Sequence, residues 1–148
     1  MYRLAVCCLL LLLVGCGSKD RAGTKDLEAV MKGQPTTYWI EQLTSEDEEK
    51  RNVSVKLLVE YGKKDETVVE DLAEALKTKE DPELRMAICG VLERVGMAAN
   101  TDEVVGVLKT QLRSKEDRVA NAAGKTLWRL NKEEARNAGV SPPAPDKK

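Results

Sequence analysis

From residue 36 onward, apolar positions recur in steps of three and four, in blocks separated by polar turns. The signals for a helix start and stop are most complete in the block that ends at Gly96. Asp81 is a residue type favoured at an N-cap, Pro82 follows at the first helical position, and Gly96 provides a stop. The apolar positions between them have helical spacing: Ala87, Ile88, Val91, Leu92 and Val95. The pattern predicts one amphipathic helix.

The same pattern occurs on both sides of this helix, as an internal repeat. Asp47 and Arg51 repeat the step from Asp81 to Arg85, and Ala120 stands at the third arginine position. Positions 51, 85 and 120 are 34 and 35 residues apart, a period typical of helical solenoids. Because each aspartate precedes its arginine by four residues, we expect the two to pair across a helical turn, and this row of pairs to end at Arg85.

Each repeat also has a first helix, so the unit is a helical hairpin. The hairpins are predicted at about 36–62, 65–96 and 101–131, with Asp65 and Thr101 as caps and with capping-box patterns that start at Ser45 and Ser114. Stacked hairpins bury apolar faces that one hairpin alone would expose. The sequence therefore predicts an all-α fold, a short α-solenoid of about three hairpins. The apolar residues of the first helices are Tyr38, Trp39, Ile40 and Leu43, then Val68, Val69, Leu72 and Leu76, then Val104, Val105, Leu108 and Leu112.

Two stretches carry a resemblance to a known family. Residues 81–85, Asp-Pro-Glu-Leu-Arg, with the leucine and glycine downstream, resemble the HEAT-like repeat, also called the PBS-lyase-type repeat. The Tyr38-Trp39 pair and the turn from Ser45 to Arg51 resemble the opening repeat of small bacterial HEAT-repeat lipoproteins. The resemblance spans about residues 34–131. It implies a scaffold that binds other proteins rather than an enzyme.

The N-terminal 16 residues have the pattern of an export signal. Arg3 precedes an apolar run from Leu4 to Val14, and Gly15 and Cys16 follow. The run is shorter than the roughly 20 residues of a transmembrane helix and has the length of a signal-peptide core. Residues 13–16 resemble the bacterial lipobox, which implies cleavage between Gly15 and Cys16 and attachment of lipid to the Cys16 thiol. The alternatives are an ordinary secretory signal that contains cysteines and a short anchor that stays in place.

The lipobox resemblance makes the membrane an expected partner through lipid on Cys16, because two or more acyl chains anchor a protein stably. Gly17 stands where the same family uses aspartate for inner-membrane retention, which implies an outer-membrane location facing the periplasm. Residues 16–25 are small and polar and predict a flexible tether. Residues 26–31 predict a short helix that caps the first repeat. Residues 132–148 are charged and proline-rich and predict a disordered tail.

Composition excludes several classes of function. The chain has 24 basic and 25 acidic residues and a net charge of −1. Arg3 is the only charged side chain of the signal, so loss of the signal changes the net charge to −2. A nucleic-acid-binding domain usually has a strong basic excess. Histidine is absent, which removes the commonest general base and metal ligand. Beyond residue 16 the only cysteine is Cys89, in the middle of a predicted helix, so we predict a structural thiol and no catalytic residue, metal site or cofactor.

The second helices line the concave side of this fold, so their non-core positions are where a partner is expected. These positions form two rows. The first row is partly apolar, and it is either a contact surface or a set of side chains that fill gaps between repeats. The second row becomes basic towards its C-terminal end: it attracts an acidic peptide or an anionic polymer, or it is simply a solvated charged face. The first row is Asn52, Val55, Val59, Met86, Cys89, Glu93, Asn121, Gly124 and Trp128; the second is Lys56, Glu60, Gly90, Arg94, Lys125 and Arg129.

From these rows we select six candidate partner-binding residues. Trp128 has two possible roles: it is a binding anchor, or it covers the open end of the stack beneath residues 132–138. Trp39, in contrast, is predicted to belong to the core. Gly90 costs about 1 kcal/mol relative to alanine inside a helix, and it indicates a close approach by another backbone or a ligand. The six candidates are Trp128, Arg129, Lys125, Arg94, Met86 and Glu93.

The sequence therefore predicts a non-enzymatic scaffold, anchored by lipid in the bacterial cell envelope, that binds an unidentified envelope protein or peptide. One alternative is a purely structural envelope protein. The other is an accessory protein to an enzyme that attaches a chromophore or cofactor, because some proteins with similar repeats attach bilins.

Overall fold

The computed structural model describes residues 33–144, and the predictions made for residues 1–32 and 145–148 lie outside this range. Within it the chain forms α-helices and short 3-10 turns and contains no strand, which confirms the all-α class. The helices are α1 (Thr36–Glu41), α2 (Glu48–Gly62), α3 (Glu66–Thr78), α4 (Pro82–Val95), α5 (Asp102–Gln111), α6 (Asp117–Leu130) and α7 (Lys132–Asn137). The 3-10 turns are Gln42–Thr44 and Gly96–Ala99.

The first six helices pair into three hairpins that stack in chain order: α1 with α2, α3 with α4, and α5 with α6. The first helices α1, α3 and α5 contact one another in that sequence and form one layer, and α2, α4 and α6 form the second layer. In this arrangement each hairpin covers the apolar face of the next. The predicted solenoid-like fold is therefore confirmed.

Aliphatic side chains occupy the space between the two layers. Leu58, Leu92 and Leu127 stand at the same position of the three second helices, and all three are fully buried. Trp39 is 7% exposed and belongs to the core, as its position on the first helix predicts. Because the same position is buried in all three second helices, the repeat seen in the sequence is also the repeat of the structure.

The predicted N-caps of three helices are present. Asp65 accepts a hydrogen bond from a backbone N–H in the first turn of α3, Asp81 does so in α4, and Thr101 in α5. Pro82 is the first residue of α4, and Gly96 ends that helix with a φ of +73°. Glycine adopts a positive φ more readily than other residues do, so the helix ends here because residue 96 is a glycine.

The predicted capping boxes are wrong. Ser45 Oγ accepts from the backbone N–H of Asp47, which precedes α2. Asp47 is the N-cap of that helix, because its Oδ1 accepts from two backbone N–H groups of the first turn. Ser114 Oγ likewise accepts from the N–H of Glu116, one residue before α6 begins. Both serines shape the turn before the helix instead of capping it.

The predicted row of Asp–Arg pairs is also wrong. Arg51 Nη1 donates to the carbonyl oxygens of Ser45 and Glu46, in the turn before its own helix. Arg85 Nη1 donates to Gln111 Oε1 at 3.1 Å, in the third hairpin. The physical reason is that the aspartates cap the helix N-termini, so their carboxylates are held by backbone N–H groups and the guanidinium groups turn towards other acceptors.

The predicted disordered tail is wrong for its first residues, which form α7. The side chain of Asn131 caps this helix by accepting a backbone N–H of its first turn, and Gly139 follows it with a φ of +77°. Ala135 is fully buried, and a Cβ added to Gly124 of α6 would lie 3.4 Å from Val140 Cγ1. The segment that follows α6 therefore covers the end of the stack.

Candidate functional site

A groove of about 700 Å³ runs along one stripe of α2 and is bounded on its far side by Arg94 from the end of α4. Its floor consists of Leu43, Val55 and Val59. Leu43 belongs to the buried core, and the two valines are half-buried and pack against it. Since residues four apart lie on the same face of a helix, the floor and its flanking polar residues follow α2 turn by turn.

The rim of this groove is predominantly basic. Glu60, the only acidic residue among the described residues that line it, already pairs with Lys64 at 3.0 Å. Within residues 33–144, no carboxylate forms an ion pair with Lys56, Lys63 or Arg94. On a chain with a net charge of −1, this makes a local site of positive potential over an apolar floor. The cationic lining residues are Arg51, Lys56, Lys63, Lys64 and Arg94.

Three of the six candidate residues come together at the other end of the layer formed by α2, α4 and α6. Glu93 Oε1 lies 3.7 Å from Lys125 Nζ and 3.6 Å from Arg129 Nε, so one carboxylate of α4 faces two cations of α6. The side chain of Glu93 is only 24% exposed to solvent. The cluster that appears basic in the sequence is therefore partly neutralised, and it joins the second hairpin to the third. That these residues bind a partner stays a prediction.

Trp128 lies beneath the segment that follows α6. It is half-buried and packs against the core, and Arg136 Cζ of α7 is 5.6 Å from the centroid of its ring. This distance is within the range of a cation–π contact. These contacts match the second predicted role, in which the residue covers the end of the stack. Met86 is half-buried on α4, and Arg94 lies at the groove.

Cys89 is buried in α4, with 1% exposure, and its carbonyl accepts from Thr126 Oγ1 of α6 at 3.1 Å. Burial raises the pKa of the Cys89 thiol to about 12; Arg85 opposes this shift and Glu93 adds to it. Because the thiolate is the reactive form of cysteine, this thiol is inert at neutral pH. The structure thus gives the thiol the environment of a packing residue.

The close approach of another backbone predicted at Gly90 is wrong, whereas the alternative, a ligand at this position, stays a prediction. Among the described residues, no atom from outside the adjoining turns of α4 lies within 4 Å of a Cβ placed on Gly90, which is exposed. The close approach is instead at Gly62, where a Cβ would stand 2.9 Å from Val95 Cγ2. Gly62 ends α2, so the glycine lets the first hairpin pack closely on the second.

The residues selected from the sequence and those that line the groove overlap little, and which of the two sets meets a partner stays a prediction. Val55, Val59 and Lys56 belong to the predicted rows, yet five of the six selected residues lie elsewhere, and only Arg94 lines the groove. Lys63 was not considered because it falls in the turn after α2. The available signal was its spacing, since it follows Val59 by four residues and so continues the same stripe.

Of the helices that the structure describes, none combines the length and the hydrophobicity needed to cross a bilayer. Comparison with known protein families gives a match to the family model for HEAT repeats, over residues 36–128. No curated protein and no solved structure matches the chain. The matched region covers more than half of the chain, begins at the first residue of α1 and ends within α6. HEAT repeats generally mediate interactions between proteins. From the match and from the three stacked hairpins together, we conclude that the chain belongs to the HEAT-repeat family.

Proposed function

We propose that the protein is a scaffold of the bacterial cell envelope, anchored by lipid, that binds another protein through the groove along α2. The groove itself is the observation that carries this proposal. Val55 and Val59 present apolar surface to solvent, and Lys56, Lys63 and Arg94 surround it without a carboxylate partner among the described residues. An apolar centre inside a polar rim is the usual composition of a protein-binding surface.

The same groove favours binding over catalysis. Among its described lining residues the one carboxylate, Glu60, is paired with Lys64, and the other ionisable side chains are lysines and arginines. The chain contains no histidine, the side chain that most often serves as a general acid or base. The groove has side chains that can attract and hold a partner, and this supports a non-enzymatic role.

The anchor half of the proposal rests on residues 13–16, which resemble the lipobox, and on the polar stretch 16–25 that follows. A flexible chain of ten residues has a root-mean-square length of roughly 15–20 Å. Lipid on Cys16 would therefore hold the hairpins near a bilayer surface. By the family rule on Gly17, this surface is the periplasmic face of the outer membrane.

The binding half is tested by isolating the tagged, full-length protein from envelopes with Val59→Glu and Met97→Glu as a matched pair. Both changes introduce a glutamate in place of an apolar residue, but Met97 is 74% exposed and lies outside the groove. We expect a partner that is recovered with the parent protein and with Met97→Glu and is lost with Val59→Glu, while the helical circular dichroism signal is unchanged. Lys56→Glu, at an exposed rim position, repeats the test without touching the floor. Recovery of the same proteins from all variants would contradict the proposal and favour a purely structural envelope protein.

The anchor half is tested separately by the intact mass of the mature protein. We expect a chain that starts at Cys16 and carries the added mass of its lipid. A mature chain that starts elsewhere, or that starts at Cys16 without added mass, would contradict the anchor and leave the groove unaffected.

A further inference from the structure

We propose that the groove along α2 binds an acidic segment of a protein partner, with an aliphatic side chain on Val55 and Val59 and a carboxylate at Arg94 and Lys63. This inference rests on the proposed function, because it names the class of ligand for the same groove. It comes from comparing the contact between the first and second hairpins with the contact between the second and third.

The two contacts differ in their charged residues. Between the second and third hairpins, Arg129 of α6 faces Glu93 of α4 at 3.6 Å. Arg94 is the residue of α4 that corresponds to Arg129, since the repeats are offset by 35 residues there. Val59 of α2 corresponds to Glu93 by the preceding offset of 34 residues, and Val59 and Arg94 line the same groove. Gly90 stands at the position of Lys125, the other cation that faces Glu93. The first contact therefore keeps one of the two cations of the second and lacks its carboxylate.

A carboxylate supplied from outside would complete this arrangement. Arg94 is exposed, and within the described residues it has no ion pair. Lys63 lies on the same side of α2, one turn after Val59, and it is likewise exposed. Arginine binds carboxylates through two parallel hydrogen bonds, so it sets direction as well as charge. Charges at the rim of an interface raise specificity and the rate of association.

The size and floor of the groove restrict the ligand to a short segment. A volume of about 700 Å³ is that of a site for a small ligand or a few side chains. Val55 and Val59 form its floor above the buried side chain of Leu43, so one or two aliphatic side chains are removed from water there. An extended or helical peptide that places an apolar residue between carboxylates fits both features.

The charges along α2 also predict the orientation of that segment. Glu48 and Glu49 lie at the start of the helix, beside Asn52 and Lys56. They repel a carboxylate at that end. The acidic part of the ligand therefore lies towards the C-terminal end of α2, where Lys63 and Arg94 stand. A bilayer surface is a poorer fit, because Val55 and Val59 are half-buried and pack against the core instead of projecting from the surface.

The test uses purified full-length protein and three fluorescein-labelled peptides, measured by fluorescence polarisation. One peptide has leucine between glutamates, the second replaces each glutamate by glutamine, and the third replaces leucine by serine. We expect the first to bind about tenfold or more tightly than either of the others. Arg94→Glu should weaken its binding by about tenfold or more, and Arg113→Glu, the same charge change at an exposed position after α5, should not.

Three results would overturn the inference: equal affinity for the glutamine peptide, equal weakening by Arg94→Glu and Arg113→Glu, or no binding of the first peptide. In the last case, Arg94-dependent binding to phosphatidylglycerol vesicles would identify a lipid surface as the ligand instead. The proposed function is judged by a different readout. If the peptides fail and Val59→Glu still loses its partner in the affinity isolation, the ligand class is wrong and the binding role stands. If Val59→Glu loses nothing, both are wrong.

Discussion

Arg85 Nη1 in the second hairpin donates a hydrogen bond to Gln111 Oε1 in the third, at 3.1 Å. Nη2 of the same guanidinium donates to the carbonyl of Glu80 at 3.3 Å, and Gln111 is only 6% exposed. Arg85 Nε is buried without a hydrogen-bond partner. A partly buried guanidinium is stable only while its hydrogen-bond acceptors, here Gln111 and the Glu80 carbonyl, are held in place. The hydrogen bond from Arg85 to Gln111 therefore fixes the third hairpin against the second.

We predict that Gln111→Met destabilises the protein by about 1.5–3 kcal/mol, because the guanidinium loses its buried acceptor. Arg85→Met should cost a similar amount, since it leaves the Gln111 amide unpaired. The double variant should regain part of the loss, with a coupling free energy of at least about 1 kcal/mol. Urea unfolding followed by circular dichroism measures all three. Strictly additive effects would show that the two side chains act independently.

A pair of glycine variants tests the packing of the first hairpin on the second. Gly62→Ala places a Cβ 2.9 Å from Val95 Cγ2, and valine has little rotamer freedom to move away, so we expect a loss of about 1–3 kcal/mol. Gly90→Ala, in the exposed middle of α4 with open space around it, should stabilise the protein by about 0.5–1 kcal/mol. Thermal unfolding compares the two. A stabilising Gly62→Ala would show that the hairpins lie further apart.

The buried thiol of Cys89 should react only when the protein unfolds. Because burial raises its pKa to about 12, we expect no reaction with a disulfide reagent at pH 8 in native buffer and full reaction in denaturant. The raised pKa also makes stability depend on pH. This contribution is complete below the unfolded-state pKa of about 9.0, and it is lost as the pH rises through about 12.

Cys89→Ala is the control for this pH dependence, because it has no ionisable group at this position. The free energy of unfolding of the parent protein should therefore fall faster than that of the variant between pH 9 and pH 11. Parallel pH profiles, or rapid labelling of the native thiol, would place Cys89 in a more open environment.

The N-terminal end of the stack predicts a role for residues 26–31. Leu57, Val91 and Thr126 occupy the same position in the three second helices. Val91 and Thr126 are each 1% exposed, and Thr126 reaches α4 of the preceding hairpin through its bond to the Cys89 carbonyl. Within residues 33–144 no hairpin precedes that of Leu57, and this side chain remains half-buried.

If residues 26–31 cover Leu57, their deletion should lower the free energy of unfolding by about 1.5–3 kcal/mol, the value of one large apolar side chain removed from water. Leu57→Ser should then cost less in the shortened chain than in the full-length one. Denaturant unfolding of the four proteins measures this coupling. Equal cost of Leu57→Ser in both backgrounds would contradict the predicted cap.

The fold was predictable from the sequence because its determinants are local. Helical spacing, the caps at Asp65, Asp81 and Thr101, and the stop at Gly96 act within one helix or one turn. The fully buried leucines at 58, 92 and 127 follow directly from the repeat period. In contrast, the contact of Arg85 with Gln111 joins residues 26 positions apart and depends on how two hairpins pack.

Two other features were hidden for related reasons. Helix α7 spans six residues and buries only Ala135, so it gives no apolar period to detect. The groove depends on which faces of α2 and α4 meet. The sequence alone could not show that Glu93 faces Lys125 and Arg129 while Arg94 lines the same groove as Val59. The charges were visible in the sequence, but their pairing required the structure.

The most direct test of the account is site-specific photocrosslinking in living cells. A photoreactive amino acid replaces one exposed lysine at a time: Lys56 or Lys63 at the groove, and Lys77 or Lys115 away from it. We predict a protein adduct of the same mass from both groove positions and none from the other two. Adducts from position 77 or 115 with none from the groove, or no adduct from any position, would contradict the claim that the protein binds its partner along α2.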